Sequence, residues 1–272
     1  MRLLVSLWHS APISTLGVVW WMRRYAHNLL AASFCFLLTH AAAQTPPALE
    51  KLADGVYMFT TYLGTGKDLI PANGLLVRTP QGLVMVDTGS DTASIKTVLQ
   101  LARQATGQNV TLAIVTHAHN DRYGGAEALA ARKIKAVATV MTARLCQSAG
   151  IDGILPELAV DTTLTIGGTP LQIWYPGPGH APDNIVVYVP QAKVLFGGCF
   201  VKSAGSKDLG NLADADLPEW STNLKRVYDR YKNAAIVVPG HGPAGGPELL
   251  GHTQKLLNAA LPKAQSQEDE QE

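Results

Sequence analysis

Short, nearly unbroken apolar runs set the rhythm of this chain. They fall at residues 56–59, 74–77, 83–86, 110–115, 136–140, 171–174, 185–189, 194–196 and 236–238, mostly bounded by Gly, Pro or Asp. Runs of that length predict strands buried on at least one face. The stretches between them carry a helical period instead. Ile95, Val98, Leu99 and Ala102 recur at i, i+3, i+4 and i+7, and so do Leu224, Val227, Tyr228 and Tyr231, the mark of helices with one apolar stripe. A short helix is expected over 142–149 and a last one over 247–261. Strands lead into a helix in each half, so the expected fold class is α/β, with two mixed β-sheets packed face to face and helices outside. No segment reads as an interdomain linker. A polar, acidic tail at 263–272 is expected to be disordered.

Composition changes this picture mainly at the N-terminus. The chain has 272 residues, 47% of them hydrophobic and 16% charged, enough to bury a full core. Met22-Arg23-Arg24 forms a basic start, residues 29–38 an apolar stretch, and Ala41-Ala42-Ala43 a small-residue cleavage site. That order is a secretory signal peptide, so residues 1–43 are expected to be a leader and 44–262 the single domain. Residues 1–21 add nothing to such a signal, and translation is expected to start at Met22. The apolar stretch falls well short of the ~20 residues that span a bilayer, so no stable membrane anchor is expected. Phe34 before Cys35 argues against lipoprotein processing, which needs a small residue there. Periplasmic localisation is the expectation.

Loss of the leader removes three of the 22 basic residues and none of the 21 acidic ones, leaving a formal charge of −2. No basic patch remains to suggest a nucleic-acid partner. Cys146 and Cys199 survive, and in an exported chain a disulfide is the first reading to weigh. Cys146, inside the expected short helix, reads better as a small buried apolar residue.

The most informative segment is His117-x-His119-x-Asp121, directly after the apolar run 110–115. In extended backbone, alternate residues point the same way, so these three side chains are expected to converge at the strand's mouth. Two imidazoles and a carboxylate make a transition-metal site, and the carboxylate leans toward catalysis. His180 in Pro176-Gly177-Pro178-Gly179-His180, Cys199 after Phe196-Gly197-Gly198, and His241 in Pro239-Gly240-His241-Gly242 each follow or separate strand candidates. Each alone reads as a structural histidine or a buried thiol. With the first cluster they become six ligand-capable residues at strand ends. His252, inside the last helix, is assigned to the surface or to a cap.

This set resembles the metallo-β-lactamase superfamily, and within it class B metallo-β-lactamases of the first subclass. Segments 83–89, 121–125, 178–184 and 196–202 carry the resemblance, which extends over residues 49–261. His117 stands where the second subclass has Asn. Arg122 and Cys199 depart from the third subclass, which has His at the first position and no cysteine ligand. Thioester hydrolases of the glyoxalase type carry aspartate where Cys199 stands.

The resemblance implies a four-layer αβ/βα sandwich with two Zn2+ ions along one edge. His117, His119 and His180 would hold one, and Asp121, Cys199 and His241 the other. It also implies that Lys202 binds the substrate carboxylate and that Asn211 both binds and stabilises the lactam carbonyl. Residues 62–69 would form a mobile apolar flap. Asp87 is expected to hydrogen-bond the loop bearing His117, and Arg122 either to orient Asp121 or Cys199 or to lie on the surface.

The implied reaction is hydrolysis of the β-lactam amide of penicillins, cephalosporins and carbapenems by a hydroxide held between the zincs, which confers antibiotic resistance, with Asp121 and Asn211 as catalytic residues. Neither S-x-x-K nor G-x-S-x-G occurs, so the serine routes lack their signature. A monomer is expected. The rival readings are a lactonase, thioesterase or phosphodiesterase on the same scaffold, and an exported zinc-binding protein without catalysis.

Overall fold

The strands are apolar on both sides because both sides are covered. Val84 and Val86 join one core, while Leu83 and Met85, the alternate residues of the same strand, join another. The computed structural model describes residues 45–64 and 66–269, with side chains except at 67 and 262–269. The export signal read at 1–43 lies outside the described residues.

The first sheet takes its seven strands in chain order: β1 (Ala48–Ala53), β2 (Val56–Leu63), β3 (Ile70–Thr79), β4 (Gly82–Val86), β5 (Val110–Ile114), β6 (Lys135–Val137) and β7 (Ile154–Leu155). β1 to β4 form an antiparallel meander, and β4 to β7 pair in parallel. The second sheet has the order β12 (Ile236–Pro239), β11 (Val194–Gly198), β10 (Val186–Val189), β9 (Thr169–Trp174) and β8 (Thr162–Ile166). Between the sheets lie Val56, Leu75, Val84, Val86 and Ile114 from the first, and Ile173, Val187, Val194, Phe196 and Val238 from the second.

Helices cover the outer faces. Ile95, Val98 and Ala102 of α1 (Thr92–Thr106) pack on Leu76, Leu83 and Met85 together with α3 (Ala126–Ala130). Trp220, Leu224 and Val227 of α5 (Leu217–Tyr231), with Leu249, Leu250 and Leu257 of α6 (Glu248–Asp269), cover Trp174, Val186, Leu195 and Val237. The αβ/βα layering is therefore the expected one. Among the described residues no helix is long and apolar enough to cross a membrane.

Differences from the sequence reading have local causes. β1, β7 and β8 were not expected from apolar runs, and all three lie at sheet edges. There a strand needs only one covered face, so Thr162–Ile166 alternates between half-buried and exposed residues. The run 136–140 divides: β6 stops at Val137, and Thr139 caps α4 (Val140–Ser148) by accepting from the Thr142 N–H at 3.1 Å. The final helix does not end near Leu261 but runs on to Asp269, with Pro262 inside it and the helix formers Lys263, Ala264, Gln265 and Gln267 beyond that proline.

Two stitches bring the sheets' loop edges together. Asn73 of β3 donates its backbone N–H to Gly240 O (2.9 Å) and its side-chain amide to Pro239 O (3.0 Å) and Gly242 O (2.7 Å). The Ile185 N–H donates to Thr116 O at 3.0 Å. Segments following β4, β5, β11 and β12 thereby share one edge, at the carboxyl ends of strands paired in parallel, the usual place for chemistry in such sheets.

Gly74 faces Phe59 across β2 and β3, and a Cβ there would lie 2.1 Å from Phe59 Cζ. Gly74→Ala should destabilise the fold by about 1–3 kcal/mol in denaturant unfolding, the usual cost of overpacking. Adding Phe59→Leu should recover part of that loss. Additive losses in the double variant would contradict the steric assignment.

Candidate metal centre

β5 ends at Ile114, before the histidines begin. His117 and Ala118 therefore lie in irregular backbone, His119 is the extended residue capping α2 (Asn120–Tyr123), and Asp121 sits in that helix's first turn. Strand alternation, expected to align the three ligands, is not what aligns them. A turn closed by the His119 N–H on His117 O (3.1 Å), and by the Arg122 N–H on His119 O (2.9 Å), does so instead.

Buried polar groups hold that turn in place. Asp87, at φ 63°, accepts from the Thr116 N–H (2.9 Å) and hydroxyl (3.1 Å), as the sequence reading expected of it. Asp183 accepts from the Ala118 N–H at 2.9 Å. Arg122 is not on the surface but fully buried. Its guanidinium donates to Asp121 (2.9 Å from Nε, with Nη2 also paired), Asp87 (3.1 Å), Asn73 O (2.8 Å) and Gly240 O (3.1 Å). The fork's donors are met by acceptors from four segments, with Asp121 taking two of them.

Three imidazoles converge. His119 Nδ1 lies 3.1 Å from His117 Nε2 and 3.2 Å from His180 Nε2. A tetrahedral zinc with bonds of about 2.0–2.1 Å would space its nitrogens by roughly 3.3 Å. Beside them, His241 Nε2 lies 3.3 Å from Asp121 Oδ2 and 3.4 Å from Cys199 Sγ, with Sγ to Oδ2 at 3.7 Å. Asp121, Cys199 and His241 form one potential metal-binding group, and His117 joins two others, with His180 and Cys199 and with His119 and Asp121, all with ligand atoms within 4.8 Å. The six residues read from the sequence thus form one continuous donor patch. No disulfide competes for it, because Cys146 and Cys199 are both free.

Protonation states suit a cation. Burial and the neighbouring His180 hold His117 well below the usual histidine range; burial, with Lys202 and His119, pushes His180 down to about 2. Burial and Arg122 bring His241 down to about 4. All three rings are neutral at pH 7, with lone pairs to offer. Burial would raise the Asp121 carboxyl, but the Arg122 charge and hydrogen bonds outweigh it and keep it far below the carboxylate range. Burial pushes the Cys199 thiol up to about 12 and Asp87 up to about 6, in both cases against the pull of Arg122.

The far ring nitrogens are mostly pinned. His241 Nδ1 donates to Pro71 O at 2.6 Å, and His119 Nε2 pairs with Asp214 Oδ2 at 2.9 Å. The Thr116 hydroxyl lies 3.3 Å from His117 Nδ1. These contacts fix which nitrogen faces the cluster, and only His180 Nδ1 is buried without a partner. Asp214, 95 residues from His119, left no trace in the sequence pattern.

The patch opens into a cleft of about 500 Å³ lined by His119, Asp121, His180 and His241, and also by Lys202 and Asn211, the two residues expected to bind substrate. Lys202 is 7% exposed, not the solvated lysine that composition alone would suggest. Asn211 accepts from the Ala213 N–H at 3.1 Å through Oδ1, leaving its NH2 for a ligand. Leu63 and Ile70, at the base of the β2–β3 turn, form the cleft's apolar rim, and Ile70 is 51% exposed. His252 is neither cap nor free surface: its Nε2 reaches Ser206 O at 2.9 Å and ties α6 to the segment carrying Lys202 and Asn211.

Comparison with known proteins gives a consistent result. A sequence family described as the metallo-beta-lactamase superfamily matches residues 68–241. A metallo-beta-lactamase type 2 from Bacillus sp. (strain 170) is 43% identical over 210 residues, covering 77% of this chain and 82% of that protein. The solved structure of a metallo-beta-lactamase from Pontibacter korlensis shares 39% identity at a TM-score of 0.74, covering 78% of this chain and 99% of its own. That of FIM-1 from Pseudomonas aeruginosa, in a mono-zinc form, shares 33% identity at the same TM-score, covering 80% and 97%.

Removing Arg122 would leave two buried carboxylates without their counter-charge. Arg122→Met should therefore cost about 3–5 kcal/mol in urea unfolding of metal-free protein. Arg122→Lys, which keeps the charge but not the fork, should lose less. A loss below about 1 kcal/mol for Arg122→Met would contradict this account.

Proposed function

The chain belongs to the metallo-β-lactamase superfamily, and we propose that it is a two-zinc β-lactamase acting on penicillins, cephalosporins and carbapenems. The observation that carries this reading is one patch of six metal-ligating side chains that opens into a cleft holding a buried lysine. His117, His119 and His180 would hold the first zinc, leaving an open position; Asp121, Cys199 and His241 would hold the second, where thiolate softness favours zinc over magnesium or calcium. The donor spacings of the two groups fit such ions. When bound, zinc supplies Lewis acidity and lowers the pKa of a water to about 7.

The chain's own side chains do the rest. Lys202 pairs with the carboxylate that β-lactams carry beside the ring nitrogen. That anchor sets the lactam carbonyl near Asn211, whose NH2 donates to the oxygen as negative charge develops on it. Asp121, kept ionised by Arg122, accepts a hydrogen bond from the attacking water and so orients it. Leu63 and Ile70 cover variable apolar substituents and help exclude bulk water. The export signal read at 22–43 would place this activity in the periplasm, and a monomer suffices for it, since one chain supplies every group.

Purified protein should turn over nitrocefin and a carbapenem, lose at least 99% of that activity to a chelator, and regain it with zinc; activity that survives complete metal removal would reject the proposal. Lys202→Ala should raise KM about tenfold at nearly constant kcat, and Asn211→Ala should lower kcat by at least about tenfold, each with unchanged zinc content. A lactonase or thioesterase would instead prefer esters in the same substrate panel.

Zinc uptake should also be pH-linked. Between pH 6 and 8, His180 and His241 are already neutral and Asp121 ionised, whereas the Cys199 thiol keeps its proton until pH is near 12. Binding at the second site must displace that single proton, so affinity should rise about tenfold per pH unit across this window. Calorimetry in two buffers of different ionisation enthalpy should find about one proton more released by the unsubstituted protein than by Cys199→Ser. A flat pH dependence would refute the thiol's role.

A further inference from the structure

Fully buried Trp220, on the first turn of α5, touches both halves of the cleft. Its ring lies 5.7 Å from the His180 ring in an edge-on arrangement, and the Lys202 ammonium sits 5.3 Å from its centroid. Its indole N–H donates to Phe200 O at 2.9 Å, two residues before Lys202. The Lys202 backbone is pinned separately by its N–H on Thr253 Oγ1 (2.9 Å), which leaves the side chain to be directed by the ring. On the other side, the Asp216 N–H, at the cap of α5, donates to Gly179 O at 2.9 Å. A Cβ on Gly179 would lie 2.3 Å from Phe200 and 3.1 Å from Trp220, so glycine there is what lets the His180 loop seat on the two aromatics.

From this juxtaposition we infer that Trp220 is a positioning residue that holds the metal-facing His180 and the substrate-anchoring Lys202 in register. The inference rests on the two-zinc β-lactamase reading for the consequence at Lys202, and on geometry alone for the consequence at His180. The ring's negative face stabilises an ammonium withdrawn from water, an interaction strongest when desolvated. The same ring walls the imidazole in. His180 Nδ1 is the one cluster nitrogen with no hydrogen-bond partner, so packing has to fix its orientation. One side chain therefore couples tight metal binding to substrate capture.

The test compares the unsubstituted protein with Trp220→Leu and Trp220→Phe. Trp220→Leu should weaken zinc binding, measured against a chromophoric chelator, about tenfold. It should also raise KM for carboxylate-bearing β-lactams about tenfold with kcat little changed. Combined with Lys202→Ala, it should add little to KM, because the lysine's contribution is already lost. Trp220→Phe keeps a ring in place and should recover most of both effects.

Wild-type zinc affinity and KM in Trp220→Leu would overturn the inference alone. A chain that hydrolyses no β-lactam, yet loses zinc affinity on that substitution, would sink the β-lactamase reading and leave the link to His180 standing. Should Trp220→Leu fail to fold, the zinc-induced change in tryptophan emission decides the matter. It should appear in the unsubstituted protein and vanish in Trp220→Phe; equal changes in both would overturn the inference.

Discussion

A single buried guanidinium organises the catalytic edge. Arg122 carries a full charge at zero exposure and reaches acceptors from four segments: Asp121 on its own helix, Asp87 after β4, Asn73 on β3 and Gly240 after β12. Such burial is tolerable only because every hydrogen-bonding direction is filled and two carboxylates lie within contact. The consequence reaches beyond stability. Asp121 is kept ionised, Asp87 is oriented toward Thr116, and the backbone next to His241 is drawn to the β2–β3 side of the cleft. A donor patch drawn from both sheets is thereby fixed before any ion arrives.

Around that node, burial and charge act in the same sense. Desolvation keeps the His117, His180 and His241 imidazoles neutral and the Cys199 thiol protonated, so without metal the cluster avoids packing like charges together. Arg122 and Lys202 supply positive charge beside the cluster, which further disfavours protonation of His180 and His241. A divalent cation then meets neutral nitrogen lone pairs and one ready anion, and it gains a second anion by displacing a proton. The sandwich contributes rigidity: parallel strands end together, and each sheet is held between the other sheet and an outer layer of helices.

Legibility varied from element to element, for physical reasons. Central strands announced themselves because two covered faces demand continuous apolar sequence. β1, β7 and β8 did not, since an edge needs only one. His117, His119 and Asp121 were found through a spacing whose presumed cause, an extended strand, proved to be a turn into a short helix. Arg122 could have been a surface residue on sequence grounds, because nothing local shows that Asp87, 35 positions away, requires its charge. Asp214 and Trp220 were missed, as their partners lie far away in the chain and belong to no local period.

The sequence alone determined which side chains can carry the chemistry, and that the chain is built from buried strands and one-sided helices, because ligand identity and apolar periodicity are local properties. Only the tertiary structure decided that six distant donors share one patch, that a lysine and an arginine are buried with their charges answered, and which ring nitrogen of each histidine faces the cleft. Those outcomes depend on distances between loops from two different sheets, and such distances are set by the packing of the whole core rather than by any stretch of residues within it.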